Sequence, residues 1–153
     1  GQSVPLGAGL TGLAAATLIG DTLKGTAAVL IMMWWGRDYA LVAAAGAFLG
    51  HLFPVFHGFA GGKGVGTAAG VIFALHWPLG LALGALWMVM ALGFKISSLA
   101  ALTTSALLPL GAFYVFGNSA PAWAMVPIAL LLFWRHRGNI RQLVEGRERT
   151  IGR

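Results

Sequence analysis

The chain has 153 residues, 58% of them hydrophobic and only 9% charged, with a formal net charge of +6. Soluble domains carry roughly 25% charged residues, so this chain cannot cover its surface for water, and lipid is the expected solvent. It has no cysteine, which excludes a disulfide framework and a thiolate metal site. Nothing suggests the soluble, groove-reading basic face of a nucleic-acid binder.

Charges, prolines and turn residues divide the chain into six apolar segments, all expected as helices. The runs are too continuously apolar for barrel strands, which alternate over about ten residues. The first segment runs from Leu13 to Trp35 and contains GDTLKG (20–25). Its Asp21 and Lys24 are three apart on an apolar helix. A charge deep in a bilayer costs about 2.5–3.5 kcal/mol by insertion scales, so such charges pair or face a polar cavity. A structural ion pair and a functional pair both fit. The second segment, Tyr39 to Phe56, carries His51 near its end, where a structural hydrogen bond is the expected role.

The glycine-rich stretch GHLFPVFHGFAGGKGVGT (50–67) comes next. Gly61, Gly62, Gly64 and Gly66 surround Lys63, and His57 lies beside them. Glycines allow turns that aim successive N–H groups at one point, and a following helix adds its positive end. The assembly suits a phosphate. It is no Walker A loop, because Gly64 follows the lysine where Ser or Thr is required. A flexible basic loop is the plainer alternative. The third segment runs from Val65 to His76 and the fourth from Leu79 to Phe94, where Gly80 and Gly84 form a small-residue face expected to pack. Met32, Met33, Met88 and Met90 are expected as packing too. The fifth runs from Ser97 to Phe116 and the sixth from Trp123 to Trp134.

Six of the ten basic residues, Arg135 to Arg153, lie in the final stretch. Within RHRGNIRQLVEGRE (135–148), His136, Asn139, Ile140 and Leu143 share one helical face. Imidazole and amide can both engage a phosphate or hydroxyl, and a basic tail lying on anionic lipid is the competing reading. Lys63, Lys95 and this tail fall on one side, with Arg37 alone opposite, which puts the glycine loop, Lys95 and the C terminus in the cytoplasm. Trp34, Trp35, Trp77, Trp123 and Trp134 sit where interfacial belts form.

These three segments, in this order, resemble the bacterial acyl-phosphate glycerol-3-phosphate acyltransferase family. Its GDxxKG stretch is matched by 20–25. Its GHxFPxFxxFxGGKGVAT is matched by 50–67, with Gly66 in place of alanine. Its HxxNIxRLxxGxE is matched by 136–148, with Gln142 in place of arginine. The resemblance implies an all-α, polytopic integral membrane bundle, with about six transmembrane helices here against seven in the family. It implies a single membrane domain over 1–153 with a cytoplasmic basic tail over 135–153. It also implies a bacterial inner-membrane location with active site and C terminus cytoplasmic. The implied reaction moves an acyl group from acyl phosphate to the 1-hydroxyl of glycerol 3-phosphate, giving lysophosphatidic acid without metal or cofactor. The expected partners are those two substrates and membrane lipid, not nucleic acid. Lys63, His136 and Asn139 are then the expected catalytic residues. Gly61, Gly62, Gly64, Val65, Gly66, Thr67, Asp21, Lys24, His51 and Glu148 are the expected substrate contacts. His136 is expected as a phosphate ligand, held neutral by Arg135 and Arg137, with the substrate's own phosphate taking the proton. The family has a first helix and a GSGNxGATNxxR loop ahead of the matched region. Residues 1–12 supply neither its asparagines nor its arginine, so the chain is read as lacking them. The rival readings are a non-catalytic membrane remnant and a small transporter or channel subunit using Asp21 and Lys24 as a relay. The latter requires polar residues continuing through the bundle.

Overall fold

The structure, a computed structural model, describes residues 6–53 and 63–151. Seven helices follow one another: α1 (Leu6–Met33), α2 (Arg37–Leu52), α3 (Val65–Leu75), α4 (Trp77–Phe94), α5 (Ser97–Phe116), α6 (Ala120–Arg135) and α7 (Arg137–Val144). Each of the six expected segments contains a helix; the first begins upstream of Leu13 and ends at Met33, and the expected end of the second, Phe56, lies outside the described residues. Three helical stretches are long and apolar enough to cross a membrane: Ala15–Met33, Trp77–Phe94 and Ser97–Phe116. The other three expected spans are shorter, at 16 residues for α2, 11 for α3 and 16 for α6.

The packing is that of a protein dissolved in lipid. Large residues such as Leu30, Ile31, Val89, Leu92 and Leu110 are exposed, whereas the buried core is rich in Ala40, Ala44, Ala68, Ala100, Ala112 and Ala122. Lipid tails are as apolar as leucine, so helix association relies on close packing of small residues. The seam of α1 and α3 is the tightest case. A Cβ at Gly70 would lie 1.9 Å from the Thr22 carbonyl oxygen, and one at Gly25 would lie 2.5 Å from that of Thr67. That approach lets Thr26 Oγ1 donate to the Gly70 carbonyl at 2.9 Å.

The α3–α4 turn is a single residue, His76, whose Nδ1 accepts from the Leu79 N–H at 3.1 Å, while Pro78 lies in the first turn of α4. At 1.5 Å per residue α3 spans about 16.5 Å and α4 about 27 Å. Because the helices run back to back from that turn, the start of α3 is recessed about 10 Å below the end of α4. Trp34, Trp35, Trp77, Trp123 and Trp134 are exposed at or near helix ends, as an interfacial belt requires.

Candidate active site

Gly64 is the N-cap of α3, with φ +88°. A Cβ there would also strike Leu52 and Phe48, at 2.5 and 2.6 Å. Only glycine fits, on both counts. No side chain caps the helix. The first bond of the ladder is Ala68 N–H to Gly64 O at 2.8 Å, so the N–H groups of Val65, Gly66 and Thr67 have no intrahelical partner. The fully buried Thr67 Oγ1 has no hydrogen-bond partner among the described residues. Three free N–H groups and a helix dipole are what an anion uses. Gly66 has a packing duty as well, since a Cβ there would touch Leu18 and Asp21 at 3.0 and 3.2 Å. Gly61, Gly62 and His57, all singled out in the sequence, lie outside the described residues.

Lys63, just ahead of this helix start, donates through Nζ to Asn139 Oδ1 on α7. Asn139 Nδ2 donates to Glu148 Oε1 at 2.8 Å, and Ser98 Oγ donates to the same oxygen at 3.0 Å. The tail is tied back where Ile151 N–H donates to the Lys95 carbonyl at 2.6 Å. Thus Lys63, the start of α5 and the tail meet at one end of the bundle. Lys63, Asn139 and Glu148, expected together, are together. Beside them opens a polar cleft of about 490 Å³, lined by Lys63, Arg135, Arg137, Gly138, Asn139 and Gln142.

His136 differs from expectation in three ways. It is the junction of α6 and α7 rather than one more residue on the face of Asn139. It is only 3% exposed and forms no part of the cleft wall. Its Nδ1 lies 2.7 Å from the Leu132 carbonyl, and a carbonyl only accepts, so Nδ1 carries the ring proton. Burial above all holds its pKa below the ordinary 6.5, with Lys63 lowering it further, while the Leu132 bond and Glu148 pull the other way. Burial and Lys63, not the neighbouring arginines, thus keep the ring neutral. A neutral ring whose one proton is committed to Leu132 cannot donate to a phosphate, which argues against the expected ligand role.

Asp21, Lys24 and His51 form one cluster rather than a pair and a bystander. Lys24 Nζ lies 3.6 Å from Asp21 Oδ1 and donates to His51 Nδ1 at 3.2 Å, with His51 3.5 Å from Asp21. Asp21 stands some four turns into α1, beside Gly66 and the start of α3. Two further ion pairs, Arg141–Glu145 and Arg147–Glu145, belong to the tail. No chain of charges continues through the bundle, so a relay has no path in the described residues.

An apolar groove of about 280 Å³ starts at Val65 and Gly66 and runs between α1, α3, α4 and α5 towards Phe73 and Gly80. Gly80 packs as expected, since a Cβ there would meet the Phe73 ring at 2.8 Å, but Gly84 has nothing within 4 Å. Gly84 lines the groove instead. Met88, expected as packing, stands on its rim and is 51% exposed.

The glycerol-3-phosphate acyltransferase family model matches residues 6–146. The chain belongs to that family. Its curated relatives include glycerol-3-phosphate acyltransferases of three bacteria. That of Burkholderia ambifaria is 49% identical over 140 residues, or 89% of this chain and 66% of the relative. That of Brucella canis is 50% identical over 92% of this chain and 69% of the relative. That of Methylorubrum extorquens is 48% identical over all of this chain and 75% of the relative. The chain thus spans about two thirds to three quarters of these relatives' length. Two crystal structures of PlsY (YgiH), an integral membrane glycerol 3-phosphate acyltransferase, share the fold. The glycerol 3-phosphate form has a TM-score of 0.84 at 33% identity, covering 90% of this chain and 70% of that one. The lysophosphatidic acid form has a TM-score of 0.80 at 32% identity, covering 90% and 72%. An all-α integral membrane acyltransferase fold is therefore established for this chain.

Sequence reasoning passed over Ser98, the residue that ties α5 to Glu148. Its signal is faint: two serines opening an apolar helix just after Lys95.

Proposed function

We propose that this chain carries the acyl-transfer centre of a glycerol-3-phosphate acyltransferase that uses acyl phosphate as donor. The observation that carries the reading is a juxtaposition. The uncapped start of α3, with Lys63 ahead of it, stands at once beside a basic polar cleft and at the mouth of an apolar groove. A phosphorylated polyol and a phosphorylated fatty acid need those two surroundings side by side. The donor's phosphate lies on the N–H groups of Val65, Gly66 and Thr67, its chain in the groove. Lys63 and Asn139 bind from the cleft side, and Asp21, Lys24 and His51 brace α1 and α2 against the start of α3.

The step needs no enzyme nucleophile, because acyl phosphate is a mixed anhydride with a good leaving group. The 1-hydroxyl oxygen of glycerol 3-phosphate attacks the acyl carbon, and the bond from that carbon to the phosphate oxygen breaks. Lysophosphatidic acid and inorganic phosphate leave. The hydroxyl proton passes to the acceptor's own phosphate, whose second pKa is about 6 by analogy with phosphoserine. Preorganised N–H donors meet the oxyanion; losing one such donor typically costs about 10²–10³ in rate. His136 acts through position: bonded to Leu132, it fixes the turn from α6 to α7 and so the place of Asn139. The lysine and arginine asymmetry supports an inner-membrane protein with this end in the cytoplasm.

The reading is tested by supplying the full-length protein with glycerol 3-phosphate and either palmitoyl phosphate or palmitoyl-coenzyme A. Lysophosphatidic acid should form from palmitoyl phosphate. Product from the thioester alone would overturn the donor assignment, and product from neither would overturn the reaction.

A further inference from the structure

The groove's walls explain what it accepts. Three polar residues line it, Thr22, Thr104 and Ser105. Each hydroxyl is spent on its own helix: Thr22 on Leu18 at 2.8 Å, Thr104 on Ala100 at 2.9 Å and Ser105 on Ala101 at 2.6 Å. What they present to the groove is hydrocarbon. Beyond the α3 start the wall therefore offers an alkyl chain little polar competition, with the Trp87 indole N–H its one side-chain donor lacking a partner among the described residues.

The groove also has a direction. One end of its lining shares Val65 and Gly66 with the start of α3, and the other is Phe73 and Gly80, where a Cβ on Gly80 would meet the Phe73 ring at 2.8 Å. Gly84 lies one helical turn from Gly80 on α4, between those two ends. Gly80 is glycine because Phe73 leaves no room for a Cβ. Gly84 has no such reason, since its Cβ would meet nothing within 4 Å. A glycine in a helix interior weakens it relative to alanine. Its absent side chain leaves the middle of the groove open.

We propose that Gly84 sets the acyl-chain length this protein accepts, by keeping the groove open from the α3 start to its Phe73–Gly80 end. The proposal rests on the acyl-transfer reading above, and its occupant is the hydrocarbon chain of the acyl donor. Continuity decides for that occupant, since the groove opens at the same Val65 and Gly66 that offer their N–H groups to the donor's phosphate. Gly84 lies about 6 Å from Met88 at one end of the lining and about 6 Å from Gly80 at the other, so a side chain there would meet any chain long enough to reach mid-groove and leave one of a few carbons untouched.

The test uses Gly84→Leu in the full-length protein, with Gly93→Leu as its control. Gly93 lies on the same helix, also has nothing within 4 Å, and does not line the groove. Leucine favours helix over glycine, so neither change opposes α4. Rates are read with butanoyl and palmitoyl phosphate. A single methylene in an apolar pocket changes specificity about 10–200-fold. Gly84→Leu should spare turnover of butanoyl phosphate while kcat/KM for palmitoyl phosphate falls by at least about tenfold. Gly84→Ala should shift the same ratio less, and it reads the effect should the leucine variant fail to fold. An unchanged ratio in both variants, a uniform loss with both donors, or the same shift in Gly93→Leu overturns the proposal. Failure of the unsubstituted protein to use either acyl phosphate would instead overturn the acyl-transfer reading.

Discussion

At the scale of single residues, His136 carries the most testable consequence. The ring is buried, neutral, and bound through Nδ1 to Leu132. Its folded pKa lies below the unfolded value of 6.5, so protonation opposes folding. Its contribution is complete above pH 6.5 and is lost as pH falls through the lower folded value. The thermal midpoint in detergent should therefore drop as pH is lowered from 6.5, and His136→Gln should flatten that drop. An equally steep drop in the variant would put the pH sensitivity elsewhere. In the same variant kcat/KM should fall, while the acid limb of the rate profile persists, because the substrate's phosphate titrates there. Loss of the limb would make His136 the base. The motif was legible in the sequence, but the role was not. Burial and the Leu132 bond depend on how α6 turns into α7, which no spacing of residues specifies.

At the scale of helices, glycine means different things at equal spacing. Gly66 and Gly70 on α3 and Gly80 and Gly84 on α4 are both small-residue pairs four apart. Only the first pair packs at both positions, against α1, while Gly84 faces the groove. Sequence inspection favoured the α4 pair for packing and assigned Gly66 to the anion loop. Which face of a helix meets a neighbour is decided by the rest of the bundle, so the pattern alone could not separate the two. The six segments were legible because long apolar runs bounded by Pro, Gly and charge leave few alternatives. Gly70→Ala should destabilise by at least about 1–3 kcal/mol, the usual cost of overpacking, because its Cβ would be driven against the Thr22 carbonyl. Equilibrium unfolding in mixed micelles measures this, and a neutral change would mean that α1 and α3 can move apart cheaply. Gly64→Val is a poor probe of anion binding for a related reason. It would strain a positive φ and strike Phe48 and Leu52, so lost activity would not separate fold from site.

At the scale of the whole molecule, the arrangement predicts its own sidedness. Lys95 lies at the end that holds Lys63, Asn139 and the tail, and Asn118 lies beyond the opposite end of α5. The chain has no cysteine, so single cysteines at these two positions are unique labels. Lys95→Cys should react with an impermeant maleimide only in inverted vesicles, and Asn118→Cys only in right-side-out cells. Labelling of both from one side would break the topology. The recessed start of α3 bears on traffic as well. A helix of about 16.5 Å would cover roughly half of a hydrocarbon layer about 30 Å thick, which would set its free N–H groups within the leaflet instead of above it. On the acyl-transfer reading proposed above, a fatty donor arrives by sideways drift in two dimensions, without lifting its tail into water. A small phosphorylated acceptor comes down to meet it from three. The depth of one short helix fixes where those two kinds of diffusion intersect, and a membrane-bound product can depart along the route by which the donor came.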